Sequence, residues 1–246
     1  MPVIAVSGVD GSGKSTQIEL LAQRLRAAGH APHVFWFRPG YSDELNALRA
    51  AVRRLRPGAL PKDGGARRAT FARPGVRKTW VAAALADTLL QYAAKVRALS
   101  LGGHAVICDR YLVDGALDLA LRFPELEDAL RPAWAAVGAL APRPAVSLFL
   151  ALPLDEAARR LATKDEPFPD PPALRATRHA RYTELAAQGA FDVLVDAAPA
   201  PEVVAQAVWA AVEPTLGPPW RRLRPSLRPS LQPSLQPGPG RPGPRR

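Results

Sequence analysis

Residues Gly8-Val-Asp-Gly-Ser-Gly-Lys14-Ser15-Thr16 follow the apolar run Pro2 to Val6 and precede a helical pattern from Gln17 to Ala28. They fit the pattern G-x-x-x-x-G-K-[ST], and a strand before with a helix after is the context that pattern requires. Gly8, Gly11 and Gly13 let the backbone curl so that its N–H groups, that of Ser12 among them, converge on a polyphosphate, and the helix N-terminus adds partial positive charge. Lys14 then reaches the β- and γ-phosphates, and the hydroxyl of Ser15 ligates magnesium. Gly8, Gly11, Ser12, Gly13, Lys14, Ser15 and Thr16 are therefore the candidate ATP-binding residues.

A second charged cluster closes the run Ala105-Val-Ile-Cys-Asp109-Arg110-Tyr111. An aspartate at the carboxyl end of a strand beside such a loop is placed to organise magnesium, which makes Asp109 the partner of Ser15. Arg110 is placed to neutralise charge on a phosphoryl group in flight. The plainer reading is an ion pair that caps the strand. Arg159, Arg160 and Lys164 precede the proline-rich stretch 164–172, and Arg175, Arg178 and Arg181 follow it at helical spacing. Residues 159–178 are read as a lid, with Lys164 or Arg160 as the cation that arrives on closure; an ordinary basic helix face is the alternative. The four histidines have no spacing that suggests a relay, and transfer to an anionic phosphate oxygen needs no general base.

Apolar runs of strand length fall at 3–6, 33–37, 105–108, 145–151 and 191–195, with helical patterns between them. Ile18, Leu21, Ala22 and Leu25 recur on one helical face and Gly29 is placed to end that helix. A long helical pattern spans Val81 to Leu101 and stops at Gly102-Gly103. Alternating strands and helices imply a P-loop NTPase-type α/β fold, a doubly wound parallel sheet of about five strands with helices on both faces. Ligands then sit at the carboxyl ends of the strands.

Two segments interrupt the alternation. Residues 53–78 carry seven Arg, two Lys and one acid, and read as a basic insertion, either solvated or a surface for a phosphate or polyanion. Residues 214–246 hold seven of the arginines that make the net charge +11, no acid and ten of the 27 prolines, and they repeat a four-residue unit from Leu223 to Pro237. This tail reads as disordered with local polyproline II, its partner unknown, and the remaining 1–213 as one catalytic domain. Because the tail makes most of the charge imbalance, no specific nucleic-acid partner is expected. The absence of a basic leader and of a long uncharged apolar run predicts a cytoplasmic protein with no membrane span, and the single Cys108 excludes an internal disulfide.

The glycine-flanked Asp10 within the loop, the triplet Asp109-Arg110-Tyr111, and the closing Asp192-Val-Leu-Val-Asp196 before an amphipathic helix resemble thymidylate kinase over about residues 1–213. Asp87 stands 22 positions before Asp109, a spacing similar to that of the family. The resemblance implies that Asp10 binds the acceptor's sugar hydroxyl and that Arg38, in Phe37-Arg38-Pro39-Gly40, holds its phosphate. It also assigns Pro39, Tyr111, Asp114, Ala84 and Thr88 to the acceptor site. Ala84 and Thr88 stand where the family carries a stacking Phe and a base-reading Arg, and Asp114, Asp118 and Leu119 stand where it runs to Ser and then Tyr-Gln. Trp36, Tyr41 or Trp80 could supply the missing ring, and core packing is the alternative use of each.

The expectation is a nucleoside monophosphate kinase using Mg2+ and ATP, with dTMP the default acceptor and a homodimer kept open by the resemblance. A kinase of the same fold acting on another phosphorylated small molecule, and a non-catalytic nucleotide-binding adaptor working through the tail, are the competing readings.

Overall fold

The computed structural model describes residues 1–55, 74–162 and 171–217. Five strands form one parallel sheet in the order β2-β3-β1-β4-β5. They are β1 (Val3–Gly8), β2 (Ala31–Trp36), β3 (His104–Asp109), β4 (Val146–Ala151) and β5 (Val193–Asp196), each overlapping an apolar run of the sequence. The central strand β1 is buried along its whole length, and its side chains alternate between two cores. Ile4 and Val6 join Ile18, Leu21, Leu25, Val208 and Trp209 on one face. Val3 and Ala5 join Phe35, Tyr92, Val96, Val106 and Cys108 on the other. Covered on both faces, the inner strands β1, β3 and β4 show the apolar runs of a parallel sheet rather than a polar-apolar alternation, whereas the edge strands β2 and β5 are partly exposed.

The helices are α1 (Lys14–Ala27), α2 (Asp43–Leu55), α3 (Pro74–Leu89), α4 (Arg97–Leu101), α5 (Leu112–Arg122), α6 (Glu127–Leu140), α7 (Leu154–Ala162), α8 (Pro172–Ala187) and α9 (Pro201–Val212). The long pattern read at 81–101 is thus α3, a π-helical stretch Leu90–Val96, and α4, and it begins seven residues earlier than the sequence suggested. The π stretch carries Gln91, Tyr92 and Val96 inward.

Within the interval 53–78, α2 runs to Leu55 and α3 starts at Pro74, so its margins are helical, and the rest lies outside the described residues. At the other end the folded chain continues past 213 through a 3-10 turn, Glu213–Leu216, with Leu216 packed into the first core. The proline-rich repeats, and Lys164 with the stretch 163–170, lie outside the described residues. Among the described residues no helix is long and apolar enough to cross a membrane.

Candidate active site

The loop after β1 wraps the N-terminus of α1. Gly13 occupies the cap position at φ 84°, and Gly11 at φ 86° lies so near α7 that a Cβ there would stand 2.8 Å from the carbonyl oxygen of Ala157. Only glycine fits both demands, a left-handed backbone and close passage beside another element. Lys14 folds back over the loop, its Nζ donating to the carbonyls of Gly8 and Val9 at 2.9 Å each. Burial, reinforced by the Arg110 guanidinium, lowers the Lys14 ammonium to a pKa of about 8, against the pull of Asp10 and Asp109.

Arg110 is the one non-glycine with positive φ among the described residues, at 76°. This turn at the end of β3 aims its guanidinium at the loop, where Nη2 donates to Oδ1 of Asp10 at 2.8 Å. Its Nη1 is buried with no hydrogen-bond partner among the described residues. Burial works against the Arg110 charge, but Tyr182, Asp114, Asp118 and Asp10 outweigh it and raise its pKa. Asp10 stays below the usual carboxylate range: burial raises it, and Lys14 and Arg110 together pull it lower.

Asp109 faces the same cleft, of about 290 Å³, as Asp10, Gly11, Gly13, Lys14, Ser15, Thr16, Arg110 and Arg160. Burial raises the Asp109 carboxyl, offset in part by Lys14 and Arg110, and its Oδ1 is buried without a hydrogen-bond partner among the described residues. An orphan carboxylate oxygen on a residue that lines one cleft with Ser15 suits a hard cation. Among the described residues no cluster of three or more His, Cys, Asp or Glu could hold a metal, so an ion here would complete its shell with phosphate oxygens and water, as magnesium does. Beside the loop's outer side a second hollow of about 440 Å³ runs from Thr16 and Gln17 to the segment 197–201. Arg160 borders both, and its guanidinium is tied to Glu156 at 2.7 Å and to the carbonyls of Ala197 and Ala198 at 3.0 and 2.9 Å. In this structure Arg160 joins α7 to the β5–α9 connection.

A further cleft of about 240 Å³ is lined by Arg38, Pro39, Tyr41, Trp80, Asp118, Leu119, Arg122 and Arg178, among others. Asp118 is its hub. Its Oδ2 is 2.7 Å from Nε of Arg38, and its Oδ1 pairs with Nη1 of the buried Arg178. The Arg122 guanidinium covers the Trp80 ring at 4.4 Å and donates to the Tyr41 hydroxyl at 3.4 Å. Asp10, which lines the phosphate-loop cleft, and Arg178, which lines this one, both border one further small cavity, so the two clefts are neighbours across it.

Four of the acceptor candidates sit elsewhere. Ala84 and Thr88 are fully buried, and the Thr88 hydroxyl is used up on the carbonyl of Ala84 at 2.7 Å. Tyr111 is a core ring whose hydroxyl donates to the carbonyl of Pro142 at 2.6 Å. Asp114, 1 % exposed, points into the protein and accepts hydrogen bonds from Ser7, Tyr111 and Tyr182. None of the four lines either cleft. Of the candidate rings, Tyr41 and Trp80 line the cleft of Arg38, whereas Trp36 lines that of Lys14. The reading of the sequence gave no role to Asp118 or Arg122; the i, i+4 spacing of Asp114 and Asp118, which stacks two acids on one face of α5, was the available signal. Arg178 was only one of three equal arginines on a stripe, and packing singles it out, since Arg181 pairs with Glu127 instead.

The parallel sheet, the glycine loop at the carboxyl end of its central strand and the charged turn beside it define an α/β protein of the P-loop NTPase type. Over 108 residues the chain is 34 % identical to the thymidylate kinase of Ruegeria pomeroyi, a stretch that covers 44 % of this chain and 44 % of that protein. The likeness supports a kinase-like relationship, and the chain spans less than half the length of the relative it matches. No protein-family model matches the chain.

Proposed function

We propose that this protein transfers the γ-phosphoryl group of Mg-ATP to a nucleoside monophosphate, with dTMP the default acceptor. The observation that carries the reading is the closeness of two clefts, one built on the glycine loop and one on Arg38, Arg178 and an aromatic wall, which flank one small cavity bordered by Asp10 and Arg178. Two phosphorylated ligands entering from opposite sides would bring their phosphates together beside Arg110. The likeness to a thymidylate kinase supports the same assignment.

In this mechanism the loop amides and Lys14 hold the donor's phosphates, and Lys14 leaves the carbonyls of Gly8 and Val9 to do so. Ser15 and Asp109 would hold magnesium, whose charge would offset that of the donor's phosphates. Arg110 neutralises charge on the transferring group, and Arg38 binds the acceptor phosphate. Asp10, which borders the small cavity beside both clefts, would accept from the acceptor's sugar hydroxyl. Catalysis rests on position and charge, since the attacking oxygen is already anionic. The hollow beside Gln17 has room for the donor's base. Lys164 remains the proposed closing cation.

The base end of the acceptor cleft favours a second reading of the substrate. With Ala84 and Thr88 buried, the groups that face an acceptor ring are Trp80, Tyr41 and Arg122, so another aromatic phosphorylated acceptor fits this wall as well as thymine does. ADP formation from Mg-ATP across a panel of nucleoside monophosphates and other phosphorylated small molecules, beside a Lys14→Ala control, tests both. Turnover on dTMP that Lys14→Ala abolishes supports the default. Turnover on another acceptor replaces dTMP, and ATP binding without turnover on any acceptor overturns the kinase assignment in favour of a nucleotide-binding adaptor.

A further inference from the structure

We propose that Asp114 is a positioning residue for Arg110, acting on the peptide group that joins Arg110 to Tyr111. The proposal rests on the role given above to Arg110, and it moves Asp114 from the acceptor site to the support of the transfer site.

β3 ends at Asp109, and a continued extended chain would carry the next side chain along the alternation of the sheet. The backbone at Arg110 instead adopts φ 76°, a conformation unfavourable for a residue with a Cβ and kept only where its surroundings impose it. Three contacts impose it. The Arg110 amide donates to the carbonyl of Val6 at 3.0 Å, which ties the turn to the central strand. The Tyr111 amide donates to Oδ2 of Asp114 at 2.8 Å. The Arg110 carbonyl, at the other end of that same peptide group, is approached by the Tyr92 hydroxyl at 3.4 Å, presented by the π-helical stretch. Holding both polar ends of one peptide group sets ψ of Arg110, and with it the direction of the guanidinium toward Asp10.

The carboxylate of Asp114 is itself held from two sides. Oδ2 accepts from the Ser7 hydroxyl of β1 at 2.7 Å, and Oδ1 from the Tyr182 hydroxyl of α8 at 2.6 Å. These bonds link the strand that feeds the glycine loop, the turn that bears Arg110, and the helix that bears Arg178. An aspartate offers two oxygens and so can accept all three donors; a single hydroxyl at this position could not.

The test compares Asp114→Asn and Asp114→Ala in the full chain, each alone and with Arg110→Ala. Turnover is measured on the best acceptor of the panel, and the Arg110 Nε–H resonance is followed by NMR with Arg110→Ala as its assignment. Asn keeps an acceptor for the Tyr111 amide, and its NH₂ can donate to the Tyr182 hydroxyl. The expected result is a kcat within about threefold of wild type for Asp114→Asn, and at least about tenfold lower for Asp114→Ala with the KM for ATP within about twofold. In the Arg110→Ala background the Asp114→Ala change should cost less than about twofold, because its target is gone. If Asp114→Ala does not fold, Tyr182→Phe removes one anchor of the carboxylate and should shift the Arg110 resonance and lower kcat in the same sense. Equal losses with and without Arg110, or a lowered Tm with kcat and the Arg110 resonance unchanged, would overturn the proposal. If no acceptor is turned over, the kinase reading fails separately, and the Arg110 resonance alone decides whether Asp114 positions it.

Discussion

Gly40 lies against the indole of Trp80 so closely that a Cβ on it would stand 2.7 Å from Cζ2. The turn after β2 and helix α3 therefore meet at one residue, and Gly40 takes φ 80° there. Gly40→Ala should lower stability by about 1–2 kcal/mol from the left-handed backbone alone, and displace Trp80 besides. Urea denaturation followed by tryptophan fluorescence checks both, and an unchanged midpoint with an unchanged spectrum would contradict the contact.

Trp80 should matter most for the acceptor. If its ring forms the wall on which an acceptor base stacks, Trp80→Ala should raise the acceptor KM about tenfold or more while the KM for ATP stays put. A rise in the ATP KM instead would place the acceptor elsewhere. Steady-state kinetics with each substrate varied in turn makes the distinction.

Asp118 joins Arg38 and Arg178 across the acceptor cleft. The Arg178 pair is buried on both sides, 5 % and 6 % exposed, whereas Arg38 remains 42 % exposed and so contributes less. Removing the acid takes a buried counter-charge from the Arg178 guanidinium, so Asp118→Ala should cost about 3 kcal/mol. Asp118→Ala combined with Arg178→Met should recover part of that loss in the same urea experiment.

The end of the folded chain can be located by truncation. Leu216 packs into the first core, so a chain stopped after Glu213 should be less stable by about 1–2 kcal/mol than one stopped after Gly217. The chain stopped after Gly217 should retain the turnover of the full protein if the reaction resides in the folded domain. An equal Tm for the two truncations would remove Leu216 from the core.

His33 and His104 face one another across β2 and β3, with ring centroids 5.9 Å apart. Partial burial, then the neighbouring His104 and Lys95, lower the His33 pKa from its ordinary 6.5. Between the folded and unfolded values the unfolded chain binds more protons, so stability is full above pH 6.5 and falls as the pH drops through that window. His33→Gln should reduce the loss of Tm between pH 7.5 and 5.5, and an identical acid loss in wild type and variant would rule His33 out as its source.

Much of the framework was legible in the order of residues because it depends on local pattern. Five apolar runs bounded by glycine, proline or charge became five parallel strands, and the signal is strongest for the inner three, since a strand buried on both faces must be apolar at nearly every position. Gly11, Gly13 and Lys14 announced a phosphate-type loop because their spacing is itself the backbone geometry. The acceptor side was not legible in this way. Ala84, Thr88, Tyr111 and Asp114 were placed by position in a motif, and motif position does not reveal which way a helix face turns.

The α/β class, the loop at the end of β1 and the charged pair Asp109-Arg110 follow from short-range spacing and are legible in the residues alone. Long-range packing is what points Asp114 inward while Asp118, one helical turn later, opens onto a cleft between Arg38 and Arg178. The two acids share one helix face and the same chemistry. What separates them is the set of donors brought to each when the sheet and its helices pack: Ser7 of β1, the Tyr111 amide after β3 and Tyr182 of α8 to Asp114, and Arg38 of the turn after β2 and Arg178 of α8 to Asp118.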